Sequence, residues 1–428
     1  MLSFSMIQLV RKNGHKLDKE LRHQFVQFYR PFKTIPCFLH SPLERIRKKT
    51  KKLPVLIEFE DGCYDMGLND VKRTRCKELH EFSSLSSCSA KMSVESIEQL
   101  LNNHNTIKKI YYDRNVTALL DVASPAIRAD QLKQTGLTGK DVNIAIIDTG
   151  IHPHEDIQGR IVAFQDFINN RSAPYDDNGH GTHCAGDAAG NGAMSGGEYQ
   201  GPAPEANLIG VKVLDKMGSG SLSTVIAGIN WCIENKSLLD IDILSLSLGS
   251  DAVESAADDP VVAAVETAWD MGITVVVAAG NSGPTEGTIA SPGISQKVIT
   301  VGAANDNDSI DRSDDSVANF SSRGPTIDGL IKPDLITPGV NITSLRSPNS
   351  FIDKTNKGAR VDTNYISLSG TSMATPICAG VVAQLLQQNP NLSPDDVKTK
   401  LIEASIHMGQ PPTSQGNGYL DASLLISD

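Results

Sequence analysis

The chain has 428 residues, 39% hydrophobic and 21% charged, which suits a globular protein with a sizeable core and excludes wholesale disorder, a collagen-like repeat and a many-spanning membrane protein. Its net charge of −11 hides a division: residues 1–52 carry 13 Lys/Arg against 3 Asp/Glu, 53–120 carry 8 against 10, and 121–428 carry 18 against 37. The acidic body repels nucleic acid, so only the basic head has the charge to attract it or an anionic membrane.

The N-terminal MLSFSMIQLVRKNGHK places a short apolar run before its charges, the reverse of a secretory signal. No apolar run approaches the roughly 18 residues of a spanning helix. Seven cysteines (Cys37, Cys63, Cys76, Cys88, Cys184, Cys232, Cys378) are scattered and form no CxxC pair, which predicts free thiols and a cytoplasmic protein.

In chain order, Leu17, Leu21, Phe25 and Phe28 recur at helical spacing within a basic extension, residues 1–52. Its last stretch, Arg45 to Lys52, carries six positive charges and reads as a solvated linker. Residues 53–120 read as a small α+β unit. LPVLIEFE is a strand; MSVESIEQLLNNH is a helix capped by Ser93, with Glu95 and Glu98 near its start; KKIYYDRNVTALL is a returning strand. From residue 121 strands and helices alternate. NIAIID (143–148), LIGVKV (208–213), IDILSLS (241–247), ITVVVAA (273–279) and KVITVG (297–302) are short apolar runs suited to burial on both faces. Between them Val225, Ile226, Ile229, Cys232 and Ile233 form one helical face, and Val261, Val262, Val265 and Trp269 another, with Gly272 placed to cap it. The pattern predicts an α/β body, 121–428: a doubly wound, mostly parallel sheet with helices on both faces, its site beyond the carboxyl ends of the strands.

Three segments carry chemistry. In IIDTG, Asp148 ends a very apolar strand, where a strand-end turn is the plainer reading. In NGHGTHCAG, His180 lies between glycines at an apparent helix start; His183 is three residues on, but the zincin spacing and its Glu are absent. In SLSGTSMATPICAG, Ser372 opens a small-residue helix, as an N-cap or as an outward hydroxyl near the dipole. Together they form a pattern: attack by serine needs a base, and the base needs a carboxylate to fix its tautomer. The order Asp148, His180, Ser372 is one in which serine hydrolases carry that triad. In VVVAAGNSG, Asn281 follows a buried strand and reads either as a turn residue or as an amide donor to a developing oxyanion.

With DTG, HGTHCAG, SLSLG, AAGN and GTSMATP in place, residues 121–425 resemble a subtilisin-like serine protease, and the whole arrangement resembles the AprX-type intracellular subtilases of bacilli. The resemblance implies a triad of Asp148, His180 and Ser372, with Asn281 as oxyanion donor. It implies that Ser247, Leu248 and Gly249 pair with extended substrate, and that Ala278, Ala279 and Gly280 form the facing wall of the first pocket. These small or apolar residues predict broad endopeptidase activity on protein or peptide substrates, with apolar preference before the scissile bond. The resemblance also makes residues 53–120 a propeptide, an intramolecular inhibitor and folding assistant cleaved near Leu119 or Leu120. The basic head is a solvated extension or a latency device docked on the acidic body; nucleic acid is not expected as a partner. No cofactor is required for the chemistry. Structural calcium is the ion the resemblance raises, with Asp156 as a ligand position, although GNGAMSGGEYQG departs from the secreted enzymes' pattern and the acidic 305–316 stretch reads as a solvated loop. Cys184, four residues after His180, falls on a similar helix face, so thiol reagents reaching it would disturb His180. A dedicated processing protease and a non-catalytic binding protein are the rival readings.

Overall fold

The computed structural model describes residues 13–28, 40–74, 76–103, 106–113, 115–118, 126–307 and 312–426. They fall into two compact units, 1–114 and 115–428.

In the first unit, α1 (Lys19–Phe28) and α2 (His40–Thr50) precede β1 (Lys52–Phe59), α3 (Tyr64–Arg73), β2 (Lys77–Phe82), β3 (Ser87–Ser93), α4 (Val94–Asn103) and β4 (Ile107–Tyr112). The strands form an antiparallel sheet in the order β2-β3-β1-β4. The Ser93 hydroxyl accepts from the Ser96 N–H at the start of α4, as its sequence predicts. The expected separation of a head from residue 53 onward is corrected here. Leu17, Leu21, Phe25 and Phe28 are buried in one core with Val55, Ile57, Ile97 and Ile110. Leu17 bridges to Ile110 along the outer edge of β4, and the Asp18 carboxylate accepts the Tyr112 N–H at 3.1 Å, so the head covers an edge that would otherwise expose main-chain groups. The Arg45–Lys52 stretch is not a linker but mostly the end of α2, where Lys48 pairs with Glu98 at 2.7 Å. The returning strand ends at Tyr112, and residues 115–118 group with the second compact unit.

The second unit contains β5 (Asn115–Ala118), α5 (Ala129–Gln134), β6 (Asn143–Asp148), β7 (Ile161–Asp166), α6 (His180–Ala189), β8 (Asn207–Lys212), β9 (Ser219–Ser221), α7 (Leu222–Leu239), β10 (Ile241–Leu246), β11 (Leu248–Gly249), α8 (Pro260–Asp270), β12 (Thr274–Ala278) and β13 (Ile299–Asn305). There follow β14 (Ser316–Val317), β15 (Leu335–Pro338), β16 (Ile342–Leu345), α9 (Phe351–Thr355), β17 (Tyr365–Leu368), α10 (Thr371–Gln388), α11 (Pro394–Glu403), β18 (Ser405–Ile406) and β19 (Tyr419–Leu420). Its main sheet runs β18-β19-β15-β13-β12-β10-β6-β8-β7, parallel from β19 to β7. This is the α/β architecture the apolar runs imply. Strand β7 escapes the sequence reading because it is an edge strand whose faces are only half buried.

Two helices of small residues fill the centre. All ten residues of α6 are buried. A Cβ on Gly380 of α10 would lie 2.6 Å from the Ala188 carbonyl oxygen, so glycine lets α10 approach α6. Because β8 and β7 lie on one side of β6 and β10 on the other, the chain reverses its winding at β6, and a crevice opens beyond the carboxyl end of that strand.

Candidate active site

Asp148 is the last residue of β6, at that crevice. Its carboxylate is fully buried and accepts the Thr149 N–H at 2.7 Å. His180 is the first residue of α6, with Nδ1 at 2.7 and 2.9 Å from the two Asp148 oxygens. A carboxylate only accepts, so Nδ1 carries the proton and Nε2 is the basic nitrogen. Burial alone pushes the imidazole's pKa down, but the Asp148 charge outweighs it and carries His180 well above the ordinary histidine value.

The loop before His180 is built on a residue that the motif reading passed over. Buried Asp176 accepts from the N–H groups of Asn178, Gly179 and Thr182 and from the hydroxyls of Thr149 and Thr182. The Asn178 amide oxygen then receives the His180 N–H at 3.1 Å. The signal was present in the sequence: Asp-Asp-Asn-Gly is a turn former because short polar side chains bond main chain a few residues on. Gly181 follows because a Cβ there would lie 2.2 Å from the Gly150 carbonyl oxygen. A second layer comes from far along the chain. Phe351 and Ile352 donate their N–H groups to the carbonyls of Asp177 and Asn178, and the Ser347 hydroxyl to that of Asp176.

Ser372 is the second residue of α10, at the positive end of an 18-residue helix. Its hydroxyl donates to the Ser247 carbonyl at 3.3 Å. Asn281 follows β12; its Oδ1 accepts from the N–H and hydroxyl of Thr371 at 3.0 and 3.1 Å. With the oxygen so engaged, the amide NH2 is directed away from Thr371, the neighbour of Ser372. Ala278 ends β12, Ala279 continues it, and Gly280 has φ +107°, where a Cβ would stand 2.8 Å from the Ser322 hydroxyl. Leu248 and Gly249 form β11, which follows Ser247 directly.

Strand β5 lies between β11 and β9, antiparallel to both. Thr117 faces Gly249 on one side and Ser219 on the other, and Ala118 faces Leu248. Leu119 and Leu120 lie outside the described residues.

The structure also settles what the remaining polar side chains touch. His183 has Nδ1 at 2.9 Å from Asp187 and Nε2 at 3.1 Å from the Ile342 carbonyl, so both ring nitrogens are engaged and the His180/His183 metal pair is not formed. Cys184 does share the His180 face: its Sγ is 3.8 Å from Nδ1. Burial pushes this thiol up to about 12, against the pull of His180, so it is un-ionised at neutral pH. The Asp156 carboxylate accepts from the Tyr365 hydroxyl at 2.6 Å and the Met194 N–H at 3.0 Å.

Comparison with known proteins follows the same lines. The model of the subtilase family matches residues 139–419. Serine protease AprX of Bacillus subtilis (strain 168) is 54% identical over 413 residues, covering 94% of this chain and 93% of that protein. The thermostable alkaline protease of Halalkalibacterium halodurans is 33% identical over 346 residues, covering 80% and 84%. Subtilisin DY of Bacillus licheniformis is 35% identical over 288 residues, covering 67% and 91%.

Proposed function

The chain belongs to the subtilase family and is a serine endopeptidase acting on protein substrates; from that premise we propose that Ser372 is its nucleophile, His180 its base, and the segment ending near Leu119 its own inhibitor. His180 Nε2 takes the proton of the Ser372 hydroxyl as Oγ attacks the scissile carbonyl. The carbonyl electrons move onto oxygen, where the Asn281 amide and the α10 dipole stabilise them. His180 then gives its proton to the leaving amine, and water, deprotonated by the same nitrogen, releases Ser372 from the acyl-enzyme. Asp148 holds the tautomer and offsets the imidazolium charge. Every proton is handled by the chain and water. The observation that carries this reading is the 2.7 Å contact of buried Asp148 with His180 Nδ1. Fluorophosphonate labelling of the wild type, lost in Ser372→Ala, is the expected result; labelling that persists in Ser372→Ala would sink it.

The inhibitor reading rests on register. Ala118, the last described residue of β5, is opposite Leu248, and the residue before Leu248 is Ser247, whose carbonyl receives the Ser372 hydroxyl. The bond after Leu119 is therefore the one proposed for self-cleavage, and Ala278, Ala279 and Gly280 are proposed as walls of the pocket for an apolar side chain. Mass spectrometry of wild type beside Ser372→Ala tests it: a new terminus at Leu120 in the wild type alone is expected, and an intact chain in both removes the claim. A cytoplasmic location is supported by the thiols: Cys63, Cys76, Cys88, Cys184, Cys232 and Cys378 are all unpaired. No helix among the described residues is long and apolar enough to cross a membrane.

A further inference from the structure

In an α-helix the carbonyl of residue i accepts the N–H of residue i+4. For Ser372, four residues on is Pro376, which lies inside α10 and has no N–H. The carbonyl of the nucleophile is thereby denied its helical partner in a place where water is excluded, since Ser372 is fully buried. Two side chains from other elements take it. The Ser247 hydroxyl donates to it at 2.7 Å, and the Cys184 thiol lies at 3.5 Å.

We propose that the Ser247 side chain is a positioning residue for the nucleophile: its hydroxyl holds the main-chain carbonyl of Ser372 that Pro376 leaves open, and so sets where the first turn of α10 presents Oγ. This rests on the reading of Ser372 as nucleophile. The geometry is a two-point latch between two residues. Ser247 donates its hydroxyl to the Ser372 carbonyl, and the Ser247 carbonyl accepts the Ser372 hydroxyl at 3.3 Å. Ser247 is buried and is the single residue between β10 of the main sheet and β11 of the three-stranded sheet, so its main chain is held from both sides. The latch therefore ties the nucleophile to the strand proposed to pair with substrate. Cys184 adds a weaker tie to the helix that carries His180, because S–H is a poor donor at that distance. The sequence motif SLSLG thus contributes a side chain as well as a main chain: an alanine at its second serine would keep the strand and lose the latch.

The test uses Pro376 as a switch. In Pro376→Ala the helix regains an N–H for the Ser372 carbonyl, so the Ser247 hydroxyl is no longer needed to satisfy it. The rate of fluorophosphonate labelling and the turnover of a short chromogenic peptide are measured on the purified full chain for wild type, Ser247→Ala, Pro376→Ala and the double variant. A thermal melt of each checks the fold. Small displacements of a reacting group are costly, so in the Pro376 background Ser247→Ala should lower labelling and kcat in parallel by about tenfold, with KM unchanged within about twofold. In the Pro376→Ala background the same substitution should lower them by less than about twofold. Cys184→Ala, which removes only the weaker donor, should lower labelling by less than about threefold. An equal loss in both backgrounds would overturn the proposal. So would a raised KM with kcat unchanged, which would confine Ser247 to substrate pairing, or a larger loss from Cys184→Ala than from Ser247→Ala. Loss of all labelling in Ser372→Ala separates these outcomes from failure of the nucleophile assignment itself.

Discussion

Two histidine–carboxylate pairs stand three residues apart on α6, and only one has the setting of the proposed base. His180 and His183 are both fully buried, and each sets Nδ1 within 3 Å of an aspartate, at 2.7 Å from Asp148 and 2.9 Å from Asp187. What separates them is the opposite nitrogen. His183 Nε2 faces the Ile342 carbonyl, which can only accept, so that nitrogen must keep its proton. His183 is a brace between α6 and β16. His180 has its proton fixed on Nδ1, which leaves Nε2 as the atom able to take another. A buried histidine with an acidic partner is thus no mark of a base; the identity of the group facing the second nitrogen decides.

The sharpest way to break the comparison is to make the same substitution in both pairs. In Asp148→Asn the amide can donate to Nδ1 and drive the proton to Nε2, the wrong tautomer for a base. Peptide turnover should fall by about 10⁴-fold with little change in KM. In Asp187→Asn a neutral His183 keeps its proton on Nε2 for the Ile342 carbonyl, and Nδ1, which faces an acceptor in the wild type, can then accept from the amide NH2. Activity should stay within about threefold of wild type, and the change should show only as a melting shift of a few degrees. Equal losses from the two would collapse the distinction.

The pH profile separates the pairs next. Asp148 raises the pKa of His180, and the proposed base must be the neutral imidazole, so activity should be lost as pH falls through that raised value. The acid limb of kcat/KM should lie above the ordinary histidine range, roughly pH 6.5. It should move down in the residual activity of Asp148→Asn, where the carboxylate charge is gone, and stay in place in Asp187→Asn. A limb that moves with Asp187 would assign the titration to the wrong histidine.

How far the sequence reaches is clear from the same residues. The strands at 143–148 and 241–246 were legible because a strand buried on both faces is a continuous apolar run. The glycine-flanked His180, the strand-end Asp148 and the helix-start Ser372 were legible because each occupies a local setting with a local signature. The role of His183 was not, because its deciding partner, Ile342, is 159 residues away. The Ser372 latch was half legible: Pro376 announces an orphan carbonyl, but nothing local names Ser247, 125 residues upstream, as the donor. Charge misled where contact is distant. The basic run from Arg45 reads as solvated, yet Lys48 meets Glu98, 50 residues on. An apolar stripe predicts a helix at Leu17–Phe28 but not which sheet edge it will cover.

A smaller effect sharpens the contrast between a carboxylate that works in chemistry and one that only holds. Asp353 is buried and accepts from Arg346 Nε at 2.6 Å, Arg360 Nε at 2.7 Å and the Asn349 N–H at 2.9 Å. It pins the segment whose Phe351 and Ile352 support the loop before His180. Burial alone raises a carboxyl pKa, but here the two guanidinium groups and the N–H outweigh it and hold Asp353 at about 2. Its folded value lies below its unfolded value, so its contribution is complete above about pH 4 and lost as pH falls from there towards 2. Asp353→Asn should cost about 2 kcal/mol at neutral pH by denaturant titration and flatten the acid dependence of stability in that window. A variant as stable as wild type at pH 7 would remove Asp353 from the support of the site.

The smallest effect concerns Cys184, the other group beside His180. A thiol attacks alkylating reagents as its thiolate, and a group held at about 12 and fully buried offers almost none at pH 7.5. Iodoacetamide should therefore leave peptide turnover unchanged within experimental scatter, with mass spectrometry showing Cys184 unmodified in the folded chain. The same reagent applied after denaturation should modify it, because unfolding both exposes the thiol and removes the burial that raises its pKa. Rapid alkylation of the folded enzyme with loss of activity would mean that the wall of α6 opens on the timescale of the assay. The tie between Cys184 and the Ser372 carbonyl would then be too transient to help position the proposed nucleophile, leaving that task to Ser247 alone.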